Sequence, residues 1–237
     1  MIKILDWTTK EPLNMIGYCA GVCWGSPLDD KEKNIKRAKN CISSGHGRVG
    51  EYPDVYCVIE GYSARVIREL YTHIIGTTRL QSSTRYVDAR NMDPQEEFYY
   101  PPTLNKAQQG ILEEGYKDII FTYKHLEEEG VSKENAANIL PLGMDTKIVF
   151  KINLRALIHM FNERTCARAY IEFRALCIEF REQLKILSPE WEWICDNLLV
   201  PKCKMLGYCT EEHSCGKEIS KKDALEAIKE WKEKNNG

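Results

Sequence analysis

Arg155 and His159 stand four residues apart, and Arg164, Arg168 and Glu172 repeat that spacing, within the stretch DTKIVFKINLRALIHMFNERTCARAYIEFR that begins at Asp145. Side chains four apart stack on one side of a helix, so the spacing predicts a file of cations ending in one carboxylate. Cations on a largely buried segment are expensive unless something anionic pairs with them. The stretch therefore reads as the floor of a site; the alternative is an ion-pair network on an exposed helix face.

The elements that must position these groups are legible around them. Ile148, Val149, Phe150 and Ile152 form an apolar, β-branched run that predicts a strand, and Asn153 hands over to a helical period. Leu154, Leu157, Ile158 and Phe161, then Ala167, Ile171, Ala175 and Ile178, are expected to form the buried face of a helix running on to about Leu187. Upstream, Asp54 to Glu60 reads as a strand, and Ser63 as the cap of the helix ARVIRELYTHI, which Gly76 ends. The segment TTRLQSSTRYVDAR that follows is too polar for a core and rich in donors. It is a candidate anion-binding loop, with a solvated loop as the alternative.

Elsewhere the chain predicts a strand near Ile2, a surface helix over 29–44, an edge strand or extended linker over 98–102, and a long helix over 103–129. Pro189 opens a short Trp-rich helix, and SKKDALEAIKEWKEK reads as an exposed amphipathic helix with a serine cap.

The 237 residues carry 33 Lys+Arg against 35 Asp+Glu, and a net charge of −2 gives no global attraction to nucleic acid or to a membrane surface. Anion recognition must be local. At 43% hydrophobic the chain can bury a sizeable core as one domain of mixed class or a domain with appendages. It contains no apolar run of membrane-spanning length and no basic-then-apolar leader, so the expected location is the cytoplasm, with no nucleic-acid or membrane partner.

Ten cysteines in a reducing compartment need a role other than a disulfide scaffold. Cys57 and Cys177 sit in apolar patterns and read as small core residues. Cys195, Cys203, Cys209 and Cys215, with His213 among them, follow the spacing C-x7-C-x5-C-x5-C. Four thiols can surround a tetrahedral zinc, but close C-x2-C pairs are missing. A structural metal, unligated thiols and redox pairing all stay open.

Over roughly Gly45 to Arg181 the residues resemble flavin-dependent thymidylate synthases of the ThyX type. The resemblance rests on a histidine-plus-glutamate element at His46 and Glu51, a loop ending S-x-R-Y at Ser83, Arg85 and Tyr86, a strand ending I-N-L-R, and R-x-x-x-R-A-x-x-E from Arg164 to Glu172. His73 is similar to the central histidine of the family's R-H-R signature, but Thr72 and Ile74 replace both arginines. Gln81 stands where the family has Glu, and Ala137 where an arginine helps hold the nucleotide. Arg79, inside the loop, could restore one lost cation.

The resemblance implies an α/β (α+β) fold, with a central, mostly antiparallel sheet flanked by long helices, assembled as a homotetramer whose sites lie at subunit interfaces. It implies a catalytic domain over 1–187 and a Cys-containing extension with an amphipathic helix over 188–237. The implied reaction is reductive methylation of dUMP to dTMP, with FAD carrying the hydride and with NADPH and methylenetetrahydrofolate as co-substrates. Gln81, Ser83, Arg85, Arg164 and Arg168 would hold the nucleotide, and His46, His73, Arg79, Asn153, Arg155 and His159 the flavin. Arg164 is the implied catalytic group. Its guanidinium cannot give up its proton, so it can stabilise the pyrimidine imide anion whose formation makes the ring carbon nucleophilic. Two other readings stay open: a related flavin- and folate-dependent enzyme acting on another pyrimidine nucleotide, and a non-catalytic nucleotide- or zinc-binding protein on the same scaffold.

Overall fold

The computed structural model describes residues 1–86 and 88–235. In chain order its elements are β1 (Ile2–Ile4), α1 (Pro12–Cys23), α2 (Lys31–Ser43), β2 (Asp54–Ser63), α3 (Ala64–Leu70), β3 (Thr77–Gln81) and α4 (Lys106–Glu128). There follow α5 (Lys133–Ala136), β4 (Asp145–Asn153), α6 (Leu154–Arg164), α7 (Ile171–Lys185), α8 (Pro189–Asn197), α9 (Lys202–Leu206) and α10 (Lys221–Asn235). They group into two compact units, one of residues 1–9 and 54–153, the other of residues 10–53 and 154–237. Residues 188–237, read from sequence as an extension, group with the second unit.

The first unit is built on a four-stranded antiparallel sheet in the order β1-β2-β4-β3. Period-two alternation puts Ile148, Phe150 and Ile152 of β4 on the buried face, opposite Ile59, Cys57 and Val55 of β2. Cys57 fits there as the small neighbour of Phe150, in keeping with its reading as a core residue. Gly61, at φ +71, takes up a register shift between Glu60 and Tyr62 that bends β2. The helix α4 starts with a reciprocal capping box between Asn105 and Gln108. It packs Tyr116 and Ile120 on Phe98 and Met144, and Tyr123 on Ala89 and Ala136.

One expectation for this unit changes, and an alternative left open at 98–102 resolves to a linker. The segment after Gly76 does not form a loop throughout: Thr77 to Gln81 pair with Ile152 to Ile148 as edge strand β3. The backbone N–H and C=O groups of Thr77 to Gln81 satisfy the outer hydrogen bonds of β4, which a loop would leave unmet. The segment over 98–102 contributes one isolated bridge, Phe98 to Met144, because Pro101 and Pro102 cannot donate to a ladder. Val87, within the expected anion-binding loop, lies outside the described residues, as do the last two residues of the expected extension.

The second unit is helical. Helices α1 and α2 pack closely enough that a Cβ on Gly17 would fall 1.9 Å from the carbonyl oxygen of Asn34. Asp30 caps α2, accepting from Lys33 N at 3.0 Å, and Gly45 at φ +79 ends the turn beyond it. Residues 18–23, rich in small side chains, are the second half of α1. Helix α7 buries Phe173, Leu176, Cys177, Phe180 and Leu184, and α8 buries Trp191, Ile194 and Cys195.

Candidate active site

In the first unit the expected site residues surround the turn between α3 and β3. Ser63 caps α3 as anticipated, accepting from Val66 N at 3.3 Å, and the helix stops after Leu70. The following turn sets His73, partly buried, before Gly76 at φ +73. The carbonyl of Gly76 accepts from the backbone N–H of Asn153 at 2.9 Å, so the last residue of β4 is tied to this turn. Arg79 folds back over it. Its Nη2 donates to the Tyr71 carbonyl at 3.2 Å, its Nη1 contacts Thr77 Oγ1 at 3.2 Å, and its guanidinium stacks 4.2 Å over the Tyr71 ring. Burial pushes the Tyr71 phenol up from its usual value, and the Arg79 charge works against that shift. The Tyr71 hydroxyl donates to Gln81 Oε1 at 2.8 Å, while Gln81 Nε2 donates to Thr146 Oγ1 at 3.1 Å. Arg79 and Gln81 thus brace the turn.

Further along, Ser83, Arg85 and Tyr86 lie in one tight turn. Ser83 Oγ accepts from Arg85 N at 3.3 Å, and the Ser83 carbonyl from Tyr86 N at 2.9 Å. The Arg85 side chain is exposed, 3.3 Å from Glu134 in an open ion pair. Ala137 sits in the short 3-10 turn after α5, where an alanine offers no donor.

In the second unit Leu154 starts α6 directly, and its N–H donates to the Pro53 carbonyl at 2.9 Å. Gly50, in the short 3-10 turn 47–51, lies so close to α6 that a Cβ there would meet the Arg155 backbone N at 3.3 Å. That approach brings Glu51 to the Arg155 guanidinium, Oε1 to Nη1 at 2.6 Å. His46, preceding the same turn, and His159, one turn along α6 from Arg155, are both exposed.

The helix of cations does not run through. Arg164 ends α6, residues 165–170 form a connecting turn, and α7 begins at Ile171. Thr165 hydrogen-bonds its hydroxyl to the Phe161 carbonyl at 2.6 Å, and Arg174 Nη1 takes the Ala167 carbonyl at 2.9 Å. Both interactions satisfy carbonyls locally and stabilise the break. Arg164, Arg168 and Glu172 are therefore not a stacked file. The Arg164 guanidinium lies 4.9 Å over the Phe173 ring, Arg168 pairs with Glu211 at 2.8 Å, and Glu172 is buried. The interruption also resets the helical phase. Ala175 and Ile178, expected inside, are exposed, and the buried face is set by Phe173, Leu176 and Phe180.

The four cysteines considered as zinc ligands are not gathered. Among the described residues no group of three or more His, Cys, Asp or Glu side chains converges as a metal site. Cys195 is wholly buried in α8, its thiol on the Arg181 carbonyl at 3.6 Å and pushed up by burial to about 12. Cys215 is exposed. The wide spacing in sequence carries Cys195 into a helix core, away from a loop where thiolates could meet.

Several partners had no signal in the sequence. Glu51 and Arg155 are separated by 104 positions, and Arg168 and Glu211 by 43, so no short spacing announces either pair. A surface cavity of about 410 Å³ lies in the first unit, lined by Arg90, Asn91, Lys124, Glu127 and Glu128, and includes none of the expected site residues.

Comparison with known proteins gives these groups a common frame. The family described as thymidylate synthase complementing protein matches residues 3–190, a span that holds every expected nucleotide- and flavin-side residue. A flavin-dependent thymidylate synthase of Pyrococcus horikoshii is 31% identical over 225 residues, covering 89% of this chain and 89% of the relative. One from Nitratidesulfovibrio vulgaris is 31% identical over 234 residues, covering 88% and 91%. Among solved structures, thymidylate synthase X of Helicobacter pylori with FAD and dUMP superposes with a TM-score of 0.70 at 18% identity, over 84% of this chain and 99% of that one. At that identity the likeness speaks for the fold. With the family match and two relatives of 31% identity behind it, the chain belongs to the thymidylate synthase complementing protein family, whose members include the flavin-dependent thymidylate synthases.

Proposed function

We propose that this chain catalyses the reductive methylation of dUMP to dTMP, with FAD as cofactor and with NADPH and methylenetetrahydrofolate as co-substrates. The observation that carries the reading is the junction of β4 and α6. In sequence it carries Asn153 at the end of β4 and Arg155 and Arg164 on α6, inside a match to relatives named for this activity. The Helicobacter pylori structure of the same fold holds FAD and dUMP.

The residues present suit such a cofactor by their chemistry. A dinucleotide flavin offers phosphate oxygens and ring carbonyls, and Asn153, Arg155 and His73 offer an amide, a guanidinium and an imidazole. Arg155 gives Nη1 to Glu51, one of five donors in its fork. When bound, the flavin supplies the hydride chemistry that no side chain here can provide. The chain's own part is positional and electrostatic. Arg85, on an exposed turn and in an open pair with Glu134, can turn to a phosphate as a fork donor. Arg164 can stabilise the pyrimidine imide anion, and its seat on Phe173 restricts where the guanidinium points. Ser83 and Gln81 add neutral donors and acceptors. No cysteine is needed as nucleophile, and Cys166 next to this segment reads as a packing residue. Assembly as a homotetramer, with residues of different copies meeting at each site, is part of the same proposal, as is a cytoplasmic location.

A visible spectrum of the purified protein tests the reading, followed by bleaching with NADPH with and without dUMP, and chromatographic detection of dTMP once methylenetetrahydrofolate is added. A protein that neither carries nor takes up flavin, and shows no dUMP-dependent NADPH oxidation, overturns it. Ala137 favours a second reading, because the nucleotide loses one donor there. Running dCMP beside dUMP in the same assay separates the two.

A further inference from the structure

The segment from Val200 onward lies beyond the residues matched by the family, yet it reaches back to the turn between α6 and α7. Asn162, in the last turns of α6, donates its amide to the Val200 carbonyl at 2.8 Å and to the Met205 sulfur at 3.1 Å. Lys202 lies 3.7 Å from Glu163. These contacts fix α9 alongside α6. Beyond α9 the chain makes a loop over 210–218 whose base is pinned. Cys209, buried, donates its N–H to the Ile219 carbonyl at 2.7 Å and accepts from Lys221 N at 3.1 Å. From that closed loop Glu211 extends to Arg168, Oε2 to Nη1 at 2.8 Å.

We propose that Glu211 is a positioning residue for nucleotide binding: it holds the Arg168 guanidinium, and with it the turn 165–170, in the orientation that receives the substrate. This rests on the reading above that places Arg168 on the nucleotide side. The contact runs through one nitrogen, Nη1, and among the described residues the other donors of the guanidinium fork are left for an anion. A carboxylate set to block the site would take both arms of the fork. Both side chains are about half exposed, so the pair by itself contributes little to stability. What it fixes is direction. An arginine without that partner samples many rotamers and must be ordered when substrate binds, a cost that appears in affinity.

The test uses the full-length, flavin-loaded protein and measures dUMP binding by calorimetry beside steady-state turnover. Glu211→Gln is expected to raise both Kd and KM for dUMP about fivefold, the upper range for one exposed ion pair. The same variant should leave kcat and the melting temperature near wild type. Glu211→Asp should recover part of the affinity, and in an Arg168→Ala background Glu211→Gln should add nothing. An unmoved Kd in Glu211→Gln overturns the inference, and so does tighter binding, which would make Glu211 a competitor of the substrate. A wild-type protein that neither binds nor turns over dUMP removes the functional reading and this inference with it. An active wild type with an indifferent Glu211→Gln removes the inference alone.

Discussion

Asn153 packs its side-chain amide against Gly76, so closely that a Cβ at residue 76 would lie 2.5 Å from Asn153 Nδ2. The glycine also holds φ at +73, where a Cβ is disfavoured by about 1 kcal/mol or more. The turn carrying His73 and the end of β4 carrying Asn153 are thus locked by one residue that has no side chain. Gly76→Ala should lower the melting temperature and, by moving Asn153, weaken flavin retention. Differential scanning fluorimetry and the ratio of visible to ultraviolet absorbance after gel filtration read the two effects. A variant that melts and holds flavin like the wild type contradicts this role.

Arg164 ends a helix and lies over an aromatic ring, with Phe173 at 4.9 Å. A lysine there keeps the charge but loses the planar fork and the stacked seat. Arg164→Lys and Arg164→Ala should both cut dUMP turnover by about 100-fold or more, the scale for removing one group that stabilises a developing anion. The melting temperature should change little, because the side chain is not part of the buried core. Turnover of Arg164→Lys within a few-fold of wild type would place the anion stabiliser elsewhere.

Those two sites show what the sequence could and could not disclose. Strand β4 and the cap at Ser63 were legible because alternation and capping are local rules, and so were the buried positions Leu154, Leu157 and Phe161. The continuous helix through Arg181 was not, because Thr165 and Arg174 break it by hydrogen bonds to carbonyls, a competition that apolar periodicity does not register. Once the phase is lost, the inward face of α7 is placed on Ala175 and Ile178 instead of Phe173, Leu176 and Phe180, until the pattern is counted afresh from Ile171. Strand β3 was hidden by its composition, since an edge strand facing polar neighbours carries the same Thr, Arg and Gln as a loop. Pairs such as Glu51 with Arg155 depend on the whole chain closing, and no spacing encodes them.

The cysteines range from exposed through partly buried to buried, and the two extremes should differ most in reactivity. Burial pushes the Cys195 thiol to about 12 from an ordinary 9.0, and raises Cys57 and Cys177 further still. Cys23 and Cys215 are exposed. Iodoacetamide near pH 8 should label Cys23 and Cys215 first, with Cys57, Cys177 and Cys195 labelled only after unfolding, as read by peptide mass spectrometry. The linkage has a definite sign. These three groups have folded values above their unfolded ones, so their contribution to stability is complete below the unfolded value. It falls as pH rises through the folded values, because only the unfolded chain releases the protons. Urea midpoints should therefore decline above about pH 9. Early labelling of Cys195 in the native protein would contradict its burial.

Glu190 closes the start of α1 from a distance of more than 170 positions in sequence. The residue before that helix, Glu11, makes no side-chain cap, and Pro12 fills the first helical position. The free N–H groups of Leu13 and Asn14 instead donate to Glu190 Oε2, at 2.7 and 3.0 Å. The carboxylate is only 6% exposed, and its second oxygen lies 3.6 Å from the Lys31 ammonium. A negative group at a helix N-terminus also meets the positive end of the helix dipole. Glu190→Ala would orphan the buried donor of Leu13 and the part-buried donor of Asn14, and remove a carboxylate near Lys31, which also pairs with Glu11, a loss of about 3 kcal/mol by the usual worth of charge-assisted bonds. Glu190→Gln keeps an acceptor in place and should lose roughly half as much. Urea denaturation of both variants checks the order: wild type most stable, glutamine next, alanine least. Equal midpoints for alanine and wild type would mean that α1 is capped by solvent and that Glu190 contributes nothing to it.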